Sequence, residues 1–187
     1  MKFNSNLKIV IFITLLLLLL SISISLINFI VSLEAKEQEL KERSLPLSVE
    51  NIYTEVQRNV IEPNLISSMM AHDTFVKAWI HHQEGNDEKI QEYLATIQKK
   101  YAMFLTFLVS EKTQNYYSQK GFVEKLSADN PDNLWYFRFK DQGNDHEINL
   151  DYNDQFGNAM IMFINHKIYD TDNQLIGITG IGLKMSY

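Results

Sequence analysis

Apolar and polar positions alternate on three different patterns along the chain. Positions 9–33 form a 25-residue stretch without formal charge, with six consecutive leucines at 15–20. A bilayer core takes about 20 apolar residues in helical form, so this stretch predicts one transmembrane helix over 9–33, long enough to cross with some tilt. The rival is a cleaved signal peptide, whose apolar region runs about 7–15 residues and ends at a small-residue site. This run is longer, and Leu33-Glu34-Ala35-Lys36 is a poor cleavage site. Residues 34–62 then predict one long amphipathic helix. Positions 34–42 are strong helix formers, and Leu45, Val49, Ile52, Val56 and Val60 recur at intervals of four, three, four and four. Pro46 is an irregularity in that helix, and Pro63 breaks its pattern. Such a helix serves either as a spacer packed on its own domain or as a rod joining an external event to the membrane.

Shorter patterns follow. Residues 65–70 and 75–80 predict two short helices, the second with Asp73 as its N-cap. Residues 88–100 predict another, with Ile90, Tyr93, Leu94 and Ile97 on one face. Residues 103–109 are an apolar, aromatic run that reads as a buried strand. It is joined through a turn at 111–114 to 115–118, a hairpin ending at Gly121. Asp129-Asn130-Pro131-Asp132-Asn133 is a turn and cap cluster before a short helix at 134–139. Strands follow at 147–152, 159–169 and 175–185, linked by polar hairpin loops at 153–158 and 170–174. The order predicts an α+β domain on an antiparallel five-stranded sheet with short helices. The organisation expected is a cytoplasmic N-terminus at 1–8, a transmembrane helix at 9–33, a long helix at 34–62 and a domain at 63–187. Because the chain stops directly after a strand, it is expected to be the N-terminal part of a longer protein.

Charge sets the orientation. Lys2 and Lys8 precede the apolar stretch without an acid beside them, so the N-terminus is expected in the cytoplasm. The C-terminal domain is then expected in the periplasm, anchored by a single span in the bacterial inner membrane. Residues 34–187 hold 15 of the 17 basic residues and all 23 acids, a formal charge of −8. An exterior so acidic is not built to grip nucleic acid or anionic lipid. The absence of cysteine excludes a disulfide scaffold, a thiolate zinc site and a cysteine nucleophile.

No catalytic constellation emerges. Gly177, Gly180 and Gly182 follow the reverse of the dinucleotide-binding spacing and precede no helix; in a strand they mark close packing or a bulge. His72 and His81 would point to nearly opposite sides of a helix, and His81 and His82 cannot share one face, so surface histidines are expected and no metal. Asp170-Thr171-Asp172-Asn173 lacks the glycine and the distant glutamate of a calcium loop. No cofactor is implied.

Several segments together carry a resemblance. They are Phe107-Leu108-Val109-Ser110-Glu111 with Asn115-Tyr116-Tyr117, then Asn133-Leu134-Trp135-Tyr136-Phe137-Arg138-Phe139. Glu147-Ile148-Asn149-Leu150-Asp151, Phe163-Ile164-Asn165-His166-Lys167 and Gly177-Ile178-Thr179-Gly180-Ile181-Gly182-Leu183 complete the set. In that order, over about half of the chain, they resemble Cache-type extracellular sensor regions of bacterial transmembrane receptors, most closely the double-Cache type found ahead of diguanylate cyclase domains. The resemblance implies a PAS-like sheet, a homodimer, and a small molecule held between the sheet and the short helix above it. Trp135 and Tyr136 match an aromatic pair at the pocket, and Asp151 matches a carboxylate that holds an ammonium group. Tyr117, Phe139, Asn149 and Asn165 are weaker matches. Aromatic faces with one carboxylate make a cation site; Arg138 and Lys167 could instead receive a carboxylate. An amine, an amino acid and a carboxylate therefore all stand as ligands. A plain structural role stands beside this, with Trp135 and Tyr136 filling core and Asp151 capping a hairpin. The function implied is the periplasmic sensing part of a receptor whose further domains are those of a diguanylate cyclase, histidine kinase or chemoreceptor. This chain itself is read as no enzyme. The alternative is a stand-alone membrane-anchored periplasmic interaction protein.

Overall fold

The computed structural model describes residues 5–153 and 159–185. The chain divides into two units, 1–56 and 57–187. In the first, α1 (Ser5–Glu39) is followed by a single turn of π-helix, Leu40–Ser44, and by α2 (Leu45–Val56). The apolar side chains of α1 are all exposed, Leu17 and Leu19 at 61%. Among the described residues this is the one helix long and apolar enough to cross a membrane. The π turn is closed by the Leu45 N–H donating to the Leu40 carbonyl. Pro46, the second residue of α2, explains it. A proline in a helix has no N–H to donate and its ring crowds the carbonyl four residues back; widening the preceding turn relieves that contact. The long helix predicted over 34–62 runs unbroken through these residues, α-helical except for its π turns.

The second unit opens with another π turn, Gln57–Ile61, and α3 (Glu62–His72). Pro63 is likewise the second residue of its segment, directly after a π turn, and its ring and missing N–H are relieved in the same way; the helix runs on past it, without the expected break. The Asp73 carboxylate accepts from the Phe75 N–H at 2.8 Å and caps α4 (Thr74–Ala78). A third π turn, Trp79–Gln83, and α5 (Asp87–Tyr101) follow. The strands are β1 (Leu105–Ser110), β2 (Asn115–Ser118), β3 (Gly121–Lys125), β4 (His146–Asn153), β5 (Ala159–Tyr169) and β6 (Leu175–Lys184). Between β3 and β4 a turn at Pro131–Asn133 leads into α6 (Leu134–Asp141).

All neighbouring strands pair antiparallel, in the order β3-β2-β1-β6-β5-β4. The sheet has six strands, not the five expected. The missed one, β3, is short and lies at the edge with Phe122 and Val123 both exposed. It therefore shows no alternation of apolar and polar positions. Its start depends on Gly121, whose φ of +107° only glycine adopts readily. The loop predicted at 153–158 lies, beyond the backbone of Asn153, outside the described residues.

The sheet has a core on each face. On one, Leu108, Tyr117, Ile164 and Ile181 pack against Met70, Trp79, Ile90 and Leu94 of the helical segments. On the other, Phe107, Val109 and Ile178 pack against Tyr136 and Phe139 of α6. Two buried hydroxyls pin the helices to the first face: Ser67 donates to the Ile164 carbonyl at 2.8 Å, and Thr106 to the Leu94 carbonyl at 2.8 Å. The three glycines of β6 serve close packing. A Cβ on Gly180 would come within 2.6 Å of the Phe107 ring and 2.7 Å of the Ile164 carbonyl oxygen.

Candidate functional site

Register assembles the site. Phe107 of β1 pairs with Gly180 of β6, Gly180 with Asn165 of β5, and Asn165 with Glu147 of β4. One row further along, Leu105, Gly182, Phe163 and Asn149 follow in the same way, and Ile161 and Asp151 form the next. Residues two apart on a strand share a face. Glu147, Asn149 and Asp151 therefore point to the side on which α6 packs. Above this face lies a cavity of about 550 Å³.

Its walls are aromatic and acidic. Trp135 of α6 presents its ring edge-on to Phe107, with centroids 5.6 Å apart, and Tyr116 meets Phe107 likewise at 5.6 Å. Phe122 and Phe163 add further rings, and Tyr152 borders the cavity from β4. Three carboxylates, Glu124, Asp132 and Asp151, and one ammonium, Lys120, are the charged groups of the lining. Burial, with the Glu124 carboxylate nearby, raises the Tyr116 hydroxyl above the usual phenol range, so it stays protonated and can donate.

Beside the cavity runs a polar chain. The Arg138 guanidinium donates through Nη2 to both Glu147 oxygens at 3.1 Å. The Asn165 amide nitrogen donates to Glu147 at 3.1 Å and to the Asn149 side-chain oxygen at 3.4 Å. Asn165 is 2% exposed, and its own side-chain oxygen is buried without a partner. Asn133, also 2% exposed and in the cavity wall, leaves its side-chain nitrogen unpartnered.

The residues singled out from the sequence are distributed as follows. Trp135, Asn149, Asp151 and Asn165 all line the cavity; Asp151 is exposed rather than buried. Tyr136 does not line it. It is wholly buried in the core under α6, and its hydroxyl donates to Glu111, which also receives Lys140. Burial and that carboxylate raise the Tyr136 pKa well above the phenol range. Tyr117 was expected on the cavity side, but an odd–even shift on β2 places it on the opposite face. There it meets Trp79 edge-on at 5.1 Å and accepts from the Asn115 side chain. Phe139 is core. Arg138 is engaged by Glu147, and the Lys167 ammonium donates to the Gln142 carbonyl and lies over the Phe139 ring; neither cation lines the cavity. Among residues not singled out, Phe107, Tyr116 and Phe163 form its apolar wall. Phe163 was legible as two positions from Asn165 on one strand. Asn133, Glu124 and Asp132 carried no such signal, since they come from a turn and an edge strand whose placement depends on the whole sheet. His72, His81 and His82 are exposed, and the described residues hold no cluster of metal-ligating side chains.

No protein-family model matches the chain. Solved structures do. The sensor domain of E. coli DcuS matches at a TM-score of 0.50 and 13% identity, over 68% of this chain and 90% of that one. The sensory domain of the Campylobacter jejuni chemoreceptor Tlp3 matches at 0.55 and 15%, over 79% and 61%; a structure of its ligand-binding domain holds L-valine. A domain of a putative sensory box/GGDEF family protein from Vibrio parahaemolyticus matches at 0.54 and 14%, over 81% and 62%. The chain thus spans about three-fifths of the latter two domains. At such identities the likeness is one of fold: that of bacterial sensor domains, in line with the Cache-type resemblance of the sequence.

Proposed function

We propose that the second unit is the small-molecule sensing part of a membrane-anchored bacterial receptor, lying outside the inner membrane with α1 as the anchor. The observation that carries this reading is the cavity between α6 and the sheet, with Trp135 of α6 and Asn149 and Asp151 of β4 in its lining. Three carboxylates against one ammonium favour a ligand bearing positive charge, held by charge and by aromatic faces. A ligand transmits only if it prefers one of two conformations; the preference here lies in how α6 sits on the sheet. The receptor's further domains are read as those of a diguanylate cyclase, histidine kinase or chemoreceptor, by resemblance, and this chain as no enzyme. The test is thermal unfolding of the full chain in detergent against a panel of amines, amino acids and carboxylates. Amines and amino acids should raise the midpoint, and Asp151→Ala should weaken binding of the best of them about tenfold or more. A flat response across the panel rejects the reading.

A second reading, an anchored docking module, is favoured by one observation. Ile148, Leu150 and Tyr152 stand exposed along edge strand β4, and such patches mark interaction surfaces.

A further inference from the structure

Two buried carboxamides in the cavity wall each leave one function unused, and the two are complementary. Asn165 spends its amide nitrogen on Glu147 and Asn149 and keeps a bare acceptor oxygen; Asn133 keeps a bare donor nitrogen. The orientation of Asn165 is fixed by its neighbour, because a Glu147 carboxylate only accepts. Buried polar groups are almost always paired, and each one left unpaired costs about 1–3 kcal/mol. One comes from the sheet and one from the turn before α6; together, one of each sign, they are what a ligand group with both a donor and an acceptor would satisfy.

Position adds the rest. Asp151 pairs with Ile161, four residues from Asn165 along β5, which is roughly 13 Å of strand. Trp135 rests on Phe107, in the same register row as Asn165, and Asn133 lies two residues before Trp135. The carboxamides therefore serve the end of the cavity remote from Asp151. A ligand carboxylate is disfavoured there by Asp132, the neighbour of Asn133 and itself in the lining.

Resting on the cation-binding reading of this cavity, we infer that Asn133 and Asn165 determine specificity. They select an extended amine whose far end carries a neutral donor–acceptor group of the carboxamide type. The ammonium lies at Asp151, the ligand carbonyl accepts from Asn133, and the ligand N–H donates to Asn165. Neither vacant atom is exposed, so contact requires the wall to yield, and binding moves the start of α6.

The experiment uses the full chain in detergent at mildly acidic pH with three matched probes: 6-aminohexanamide, hexylamine and 6-aminohexanoate. Titration calorimetry should rank the amide about tenfold tighter than hexylamine, with the carboxylate weakest. Asn133→Asp keeps the shape but replaces the donor by an acceptor. It should bring the amide down to the level of hexylamine while hexylamine itself changes less than twofold. Asn133→Ala gives the same comparison should the aspartate lower the unfolding midpoint. Equal affinities for amide and hexylamine, or an amide advantage that survives both variants, overturn the inference. If Asp151→Ala then still weakens both amines, the cation-binding reading stands without it. Failure of all three probes to bind rejects both.

Discussion

His166 is a histidine held in its neutral form. It is 7% exposed and its Nε2 lies 3.0 Å from the Asn64 side-chain oxygen, so the proton sits on that nitrogen. Its ring stacks on His146 at 5.1 Å. Burial above all, then the neighbouring His146 and His72, lower its pKa to about 4, with Asp145 acting weakly the other way. A base with a folded pKa below its unfolded value stabilises the fold fully above about pH 6.5 and loses that contribution as pH falls towards 4. The unfolded chain takes up the proton first, and the loss amounts to roughly 3 kcal/mol. Unfolding midpoints should therefore fall between pH 6.5 and 4. In His166→Gln, which keeps a partner for Asn64, the fall should be visibly smaller; equal slopes would refute the assignment. At this scale the sequence was most legible where chemistry is local. Trp135, Asn149, Asp151 and Asn165 reach one cavity, whereas Tyr136 and Tyr117 do not. A tyrosine looks alike in a pocket and in a core, and only register separates the faces of Tyr116 and Tyr117.

Elements were legible where a short-range signal defines them. The Asp73 cap, the α5 face and the three long strands depend on neighbours a few residues away, and all stand as read. The π turns and β3 do not, because a widened helical turn or a polar edge strand leaves no periodic trace. The Gly-rich strand shows how an element sets the site. Gly180 admits Phe107 above it, and Phe107 supports Trp135. Gly180→Ala forces a Cβ to 2.6 Å from that ring and 2.7 Å from backbone, so it should cost about 1–3 kcal/mol and lower affinity for any cavity ligand. Denaturant titration with and without 6-aminohexanamide would measure both, and an unchanged midpoint would show that the sheet gives way freely.

For the whole molecule, the long apolar helix was legible by composition alone, since 25 uncharged positions need no tertiary context to be read. Strand order needed it: β1 lies between β2 and β6, a pairing closed across about 70 residues. If α1 is an uncleaved anchor, the expressed chain should stay in the membrane pellet through alkaline carbonate extraction and keep its full mass. Release into the supernatant, or a mass lacking about three kilodaltons, would place it among processed signal sequences.

The π turn at Leu40–Ser44 has one more residue than an α-helical turn would use. Dropping a residue there lets the backbone revert to α-helix with its hydrogen bonds intact, and because the wider turn spreads about one rotation over its extra residue, α2 keeps nearly the same facing against α1. The turn thus works as an expansion joint: it takes up a residue without passing the change on. A natural or engineered deletion of one residue here would leave both helices whole and their faces aligned, whereas the same deletion inside α2 would swing everything beyond it by about 100°.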